Sequence, residues 1–184
     1  MNRRQALDPD WYPPDLEKLG SGYTSDPANH QLRAQAATQF KRMVDDVLDA
    51  TGSDLQCVSP FRSFSTQCTL FGSYASNDGC EEANTYSAMA GHSEHQLGTV
   101  CDIGTMNGEF IDGTQAHDRW LEDNAHLYGF AMSYPDGTTG YTGYIHEPWH
   151  FRFIGVTNAT RLRNLQTQLG RKISVHEFIA EHLN

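Results

Sequence analysis

Apolar residues recur at intervals of three and four through Leu32, Ala36, Phe40, Met43, Val44, Val47 and Leu48, which is the period of one helix face. Asp26 followed by Pro27 reads as an N-cap with proline at the first helical position, and Gly52 as the stop, so a long amphipathic helix is expected between them. Residues 55–59 read as a short strand that leads through Pro60 to Phe61, Arg62 and Ser63. Helical stretches are expected at 65–76 and 81–89, separated by Asn77-Asp78-Gly79. Residues 99–104 read as a strand. Trp120, Leu121, Ala125 and Leu127 mark a further helix closed by Gly129, and 130–134 and 149–154 read as strands joined by a loop with Pro135-Asp136-Gly137, Gly140 and Gly143. Ser174 with Glu177 three residues on is a capping box for a last helix carrying Phe178, Ile179 and Leu183.

Helices mixed with short strands indicate an α+β fold, a small antiparallel sheet with helices packed on it and a cleft on the sheet. Residues 1–25 contain Pro13-Pro14, which forbids helix, and are expected to be an irregular arm docked through Trp11, Tyr12 and Leu16, ahead of a single domain over 26–184. At 184 residues the chain has room for one core and one cleft.

Charge narrows the partners. Thirteen Lys and Arg against 23 Asp and Glu give a net charge of -10, a field that opposes nucleic acid and anionic lipid. No apolar run is long enough to span a membrane, and the start, with Asp8 and Asp10 close behind Arg3 and Arg4, has no apolar export signal. A monomer that acts where it is made, or one whose signal was removed, is expected.

Cys57, Cys68, Cys80 and Cys101 lack the paired spacing of a structural zinc site and are disulfide candidates. The expected pairing is Cys68 with Cys80, closing a short loop, and Cys57 with Cys101, joining two strand-like runs; four buried free thiols are the alternative. Bridges would place the protein in an oxidising compartment.

Of the nine histidines, His30, His117, His126, His176 and His182 are expected on the surface. His95, followed seven residues later by Asp102, and His150, preceded by Glu147, could supply two imidazoles and one carboxylate, a donor set that catalytic Zn²⁺ uses while keeping a fourth position for water. Alternation along 99–104 lets Asp102 face a cleft while Cys101 faces the core, which makes Asp102 the natural ligand. Pro148 cannot donate to a ladder, so Glu147 would sit at the lip of the following strand, within reach of a water on the metal. A hydrolase follows. Singly, each of these residues is an ordinary surface acid, base or salt-bridge partner; in combination they point to chemistry.

The run Ser93-Glu94-His95-Gln96-Leu97-Gly98-Thr99-Val100-Cys101-Asp102-Ile103-Gly104 resembles the S-x-H-x-x-G-x-A-x-D signature of the VanY-type D,D-carboxypeptidases, and 142–152 is similar to their second signature. Ser59-Pro60-Phe61-Arg62-Ser63 with Gln67 resembles the family's arginine-bearing turn; the likeness extends over about residues 30–183. It implies a zinc peptidase in which His95, Asp102 and His150 bind one Zn²⁺, Glu147 is the catalytic base, Arg62 steadies the oxyanion, and Gln67 and Ser93 hold substrate. The implied reaction removes the terminal D-alanine of peptidoglycan stem peptides outside the cytoplasm. L,D-carboxypeptidases, D-Ala-D-Ala dipeptidases and phage-lysin endopeptidases share these motifs. A non-catalytic zinc domain similar to the hedgehog amino-terminal domain would need neither Glu147 nor Arg62. Val100 stands where the signature has Ala, and Phe61 where the family has Tyr; the 135–144 loop is expected to rim the cleft.

Overall fold

The computed structural model describes residue 3 and residues 5–183. The segment expected to be an irregular arm is regular at one point, where β1 (Leu16–Lys18) pairs antiparallel with β2 (Gln31–Arg33). This ribbon moves the start of the first helix. Asp26 does cap, but it caps a turn: its carboxylate accepts from the Asn29 amide at 3.2 Å and its carbonyl from the His30 amide at 2.9 Å. Residues 31–33 then pair with β1, and α1 (Ala34–Thr51) begins eight residues after Asp26. Its buried face is Ala36, Ala37, Phe40, Met43, Val44 and Val47, and Gly52 closes it with φ 72°, donating to the Leu48 carbonyl.

Next come β3 (Leu55–Ser59), α2 (Phe64–Asp78), α3 (Cys80–Tyr86), β4 (Val100–Thr105), α4 (Ala116–Asn124), β5 (Phe130–Met132), α5 (Thr139–Thr142), β6 (His150–Phe153), α6 (Val156–Leu169) and α7 (Val175–Glu181). Single 3-10 turns cover Glu94–Leu97 and Ala125–Tyr128. The four-residue α5 lies inside the expected 135–144 loop, and α6 is an element the sequence reading did not contain. Among the described residues no helix is long and apolar enough to cross a membrane.

The main sheet is antiparallel in the order β3-β4-β6-β5. Cys101 lies opposite Phe151 and Asp102 opposite His150, so the period of two sends the first pair into the core and the second into the cleft. The core face packs Cys57, Cys101, Ile103, Phe130 and Phe151 against Phe40 and Met43 of α1 and Leu121 of α4. Leu162 of α6 joins Ile173, Val175 and Phe178 in a second buried cluster. Between Cys57 and Ser59 the β3–β4 register shifts, so that Ser59 stands opposite Asp102. A bulge of this kind re-aims the chain that follows, here Pro60 to Arg62.

Cys57 and Cys101 form a disulfide with a Cα–Cα distance of 5.7 Å. Cys68 and Cys80 do not; both are free and exposed. Cys68 sits in α2, ten residues before its end at Asp78, and Cys80 opens α3. At 1.5 Å of rise per residue that is about 15 Å of helix, whereas a disulfide needs Cα atoms within about 7 Å. Of the histidines expected on the surface, His117 is buried and His176 is half-buried. His117 places Nδ1 3.0 Å from the Ser53 hydroxyl, and His176 lies beneath the cleft.

Candidate metal centre

His95 is carried by the 3-10 turn Glu94–Leu97, which Gly98 ends at φ 68° with its amide donating to the His95 carbonyl at 3.1 Å. A side chain on Gly98 would meet Leu16 Cδ2 at 2.9 Å and Pro13 Cγ at 3.1 Å, so the signature glycine answers both a left-handed turn and a close approach of the N-terminal segment. Asp102 lies within β4, and His150 opens β6 directly across from it. Glu147 precedes β6 in a tight turn: its carbonyl accepts from the His150 amide at 3.2 Å, while its own amide donates to the Tyr134 carbonyl at 3.1 Å. The turn brings Glu147 to the cleft beside His150, with Oε2 3.3 Å from Nδ1.

One donor atom from each of His95, Asp102 and His150 lies within 4.8 Å of the other two. His95 Nε2 is 3.2 Å from Asp102 Oδ2, and His150 Nδ1 is 3.1 Å from Asp102 Oδ1. The far nitrogens are occupied. His95 Nδ1 lies 2.6 Å from the Pro60 carbonyl, and His150 Nε2 lies 3.0 Å from Glu94 Oε2. Each ring therefore turns one nitrogen to a fixed partner and the other to the shared point, as imidazole ligands of metals do. His95 Nε2 and Asp102 Oδ1 are buried and make no hydrogen bond. Two imidazole nitrogens and a carboxylate, with orphaned polar atoms facing one point, fit a divalent transition ion.

Among the protein's own groups, burial and the nearby Arg62 guanidinium push His95 down to about 4, against the pull of Asp102. Burial would lower His150 too, but its contacts with Asp102, Glu147 and Glu94 hold it well above the usual imidazole range. Burial would raise Asp102, yet His95 and His150 bring it well below the usual carboxylate range. Glu147 is raised, because burial outweighs the opposing contact with His150.

Arg62 brings Nη2 to 3.9 Å from Asp102 Oδ2, and its Nη1 donates to Gln67 Oε1 at 2.8 Å. Gln67 Nε2 donates in turn to the Ala88 carbonyl at 2.7 Å and the Ser87 hydroxyl at 3.3 Å. All seven residues singled out from the sequence, His95, Asp102, His150, Glu147, Arg62, Gln67 and Ser93, border one cavity of about 520 Å³. Its remaining wall is largely aromatic, with Tyr74, Tyr86, Phe110, Tyr134, Tyr144 and Trp149. Tyr144 closes the 135–144 loop against this wall.

Sequence reasoning did not single out Glu94, although it stands inside the signature run. Neighbours on a 3-10 turn point about 120° apart, so Glu94 reaches the far nitrogen of His150 while His95 faces Asp102. A second acid and histidine grouping, Glu177, Glu181 and His182, lies at the end of α7; there Glu177 is already paired with Arg171 at 2.5 Å.

Comparison with known proteins places this geometry. The VanY family, D-alanyl-D-alanine carboxypeptidase, matches residues 29–156. YodJ of Bacillus subtilis (strain 168) is 32% identical over 161 residues, which are 84% of this chain and 59% of YodJ. The chain thus spans about three fifths of that relative's length. Among solved structures, the LdcB LD-carboxypeptidase superposes with a TM-score of 0.80 at 30% identity, over 95% of this chain and 86% of that one. VanYB in complex with D-alanine-D-alanine gives 0.76 at 26% identity, over 98% and 96%. With both signature runs inside the matched segment and their side chains gathered at one cavity, the chain belongs to the VanY D-alanyl-D-alanine carboxypeptidase family.

Proposed function

We propose that this protein is a zinc-dependent D,D-carboxypeptidase that removes the terminal D-alanine from peptidoglycan stem peptides. The observation that carries the reading is the meeting of His95, Asp102 and His150 within 4.8 Å, with the Glu147 carboxylate 3.3 Å from His150 and Arg62 on the same cavity. Held by His95 Nε2, Asp102 and His150 Nδ1, Zn²⁺ would polarise the scissile carbonyl and acidify a water molecule. Glu147 takes the proton of the attacking water on its carboxylate and returns it to the departing amine. Arg62 faces the oxyanion that develops on the substrate, a charge-assisted contact worth about 3 kcal/mol of barrier in comparable sites.

Gln67 holds Arg62 in place through Oε1 and keeps a second lone pair there for a substrate N–H. Ser93, at the head of the His95 turn and on the same cavity, would hold the substrate's terminal carboxylate. The disulfide supports a workplace outside the reducing cytoplasm. On a chain of net charge -10, recognition of an anionic peptide falls to Arg62 and the metal rather than to the overall field.

The likeness to the LdcB LD-carboxypeptidase favours one second reading, cleavage after an L-centre one residue earlier in the stem. Mass spectrometry of defined stem peptides, with and without chelator, separates the two. Loss of one alanine from a pentapeptide stem, abolished by chelator, is the expected result. Cleavage of the tetrapeptide stem alone selects the second reading, and hydrolysis that survives full metal removal overturns both.

A further inference from the structure

The carboxylate behind His150 is itself braced from two further elements. Glu94 is 1% exposed, and both its oxygens are engaged: Oε2 with His150 Nε2 at 3.0 Å, and Oε1 as acceptor from Arg152 Nη1 at 2.6 Å. Arg152 lies two residues after His150 on β6, hence on the same face of the strand. His176 of α7 completes the enclosure. Its Nε2 stands 3.3 Å from Glu94 Oε1, and its ring stacks on Tyr134 with centroids 5.6 Å apart and planes at 29°. Tyr134 packs in turn against the His150 ring at 4.8 Å. Arg152 and His176 do not border the cavity, so neither is placed to touch substrate.

A buried carboxylate is tolerated only with a partner, and a ligand imidazole needs its far nitrogen fixed if the near one is to point at the ion. We propose that Glu94, Arg152 and His176 are positioning residues that lock the His150 ring, which makes α7 part of the metal centre although it lies beyond the 29–156 family segment. The proposal rests on the reading of His150 as a ligand. Glu94 is the direct brace, Arg152 neutralises it, and His176 closes it off from water while holding the Tyr134 face of the ring.

The test uses the full chain stripped of metal, titrated with Zn²⁺ against a competing chromogenic chelator, with thermal melting of each metal-free variant alongside. Glu94→Gln should weaken Zn²⁺ binding by roughly 10- to 100-fold, as loss of an outer partner does elsewhere. His176→Phe keeps a ring on Tyr134 and removes only the nitrogens; it should weaken Zn²⁺ in the same direction by less, with metal-free melting unchanged, and it decides the matter if Glu94→Gln does not fold. Parity of both folded variants with the parent overturns the proposal, as does lowered melting with Zn²⁺ affinity intact, which would make the cluster a structural ion pair only. A parent that takes up no Zn²⁺ brings down the metal reading itself, and this proposal with it.

Discussion

His95 and His150 face the same carboxylate but are held by different physics. The His95 ring leans on a backbone carbonyl, that of Pro60 just after β3, at 2.6 Å. β3 is tied to β4 by the Cys57–Cys101 disulfide, so this half of the centre is covalently braced and its outer partner carries no net charge. The His150 ring leans on Glu94, an ionic support fixed by Arg152 and closed by His176. The protonation tendencies follow: burial and Arg62 leave His95 near 4, while three carboxylates overcome burial and raise His150. One half supplies a ring whose place is set by the chain path. The other supplies a more basic ring whose place depends on buried charges.

The largest break removes what the halves share. Asp102 is within 3.2 Å of His95 and 3.1 Å of His150, so Asp102→Ala should lower Zn²⁺ affinity by more than the roughly 100-fold upper range of an outer partner and abolish hydrolysis with it. Chelator competition and a product assay on the same preparation check this; retention of both functions would mean that the two rings need no common acid. Glu147→Gln separates metal holding from chemistry. It keeps the side-chain shape beside His150 and removes the carboxylate proposed as proton acceptor, so turnover should fall about 10²- to 10⁴-fold while Zn²⁺ content stays at the parental level.

The same asymmetry governs what could be read from the sequence. His95 and Asp102 were legible because one short run carries both, and because strand alternation alone sends Cys101 and Asp102 to opposite faces. Glu147 was legible because Pro148 interrupts the ladder just before β6. The support of His150 was not. It begins at Glu94, on the far side of the His95 turn, and is completed when α7 delivers His176 to that carboxylate, and no local pattern marks a histidine two residues after an N-cap serine as its partner. Cys68 and Cys80 looked paired because they are close along the chain, but a helix converts sequence proximity into distance. Asp26 had the right capping chemistry for the wrong element, since β1 claims the backbone of residues 31–33 before a helix can. α6 buries only Ala159 and Leu162, too sparse a stripe to declare itself beside its polar residues.

A covalent break should act on the His95 half. Cys57→Ala with Cys101→Ala removes the bond between β3 and β4, and the expected loss is about 2–4 kcal/mol of stability, read as a shift in the denaturant midpoint. Because Pro60 follows β3, Zn²⁺ affinity should fall as well. A thiol assay on the unfolded parent without reductant should find only Cys68 and Cys80 reactive; reaction at all four positions would contradict the bridge.

The smallest perturbation reaches the His150 half from its outermost support. Ser174 is fully buried, and its hydroxyl accepts from the Glu177 amide at 3.0 Å, which caps α7 in the same turn that carries His176. Ser174→Ala leaves that amide unsatisfied and should cost about 1 kcal/mol, a shift of roughly 2–4 °C in Tm for a chain of this size. Amide hydrogen exchange locates the loss: protection should drop at Glu177 and Phe178 and persist at Cys101 to Ile103 in β4, on the covalently braced side. Zn²⁺ affinity should fall in the same direction as in His176→Phe and by less, because a frayed helix still holds His176 near Glu94 for most of the time. If α7 loses protection while Zn²⁺ affinity stays at the parental value, the brace ends at Arg152 and the charged half of the centre is complete within β6 and the His95 turn.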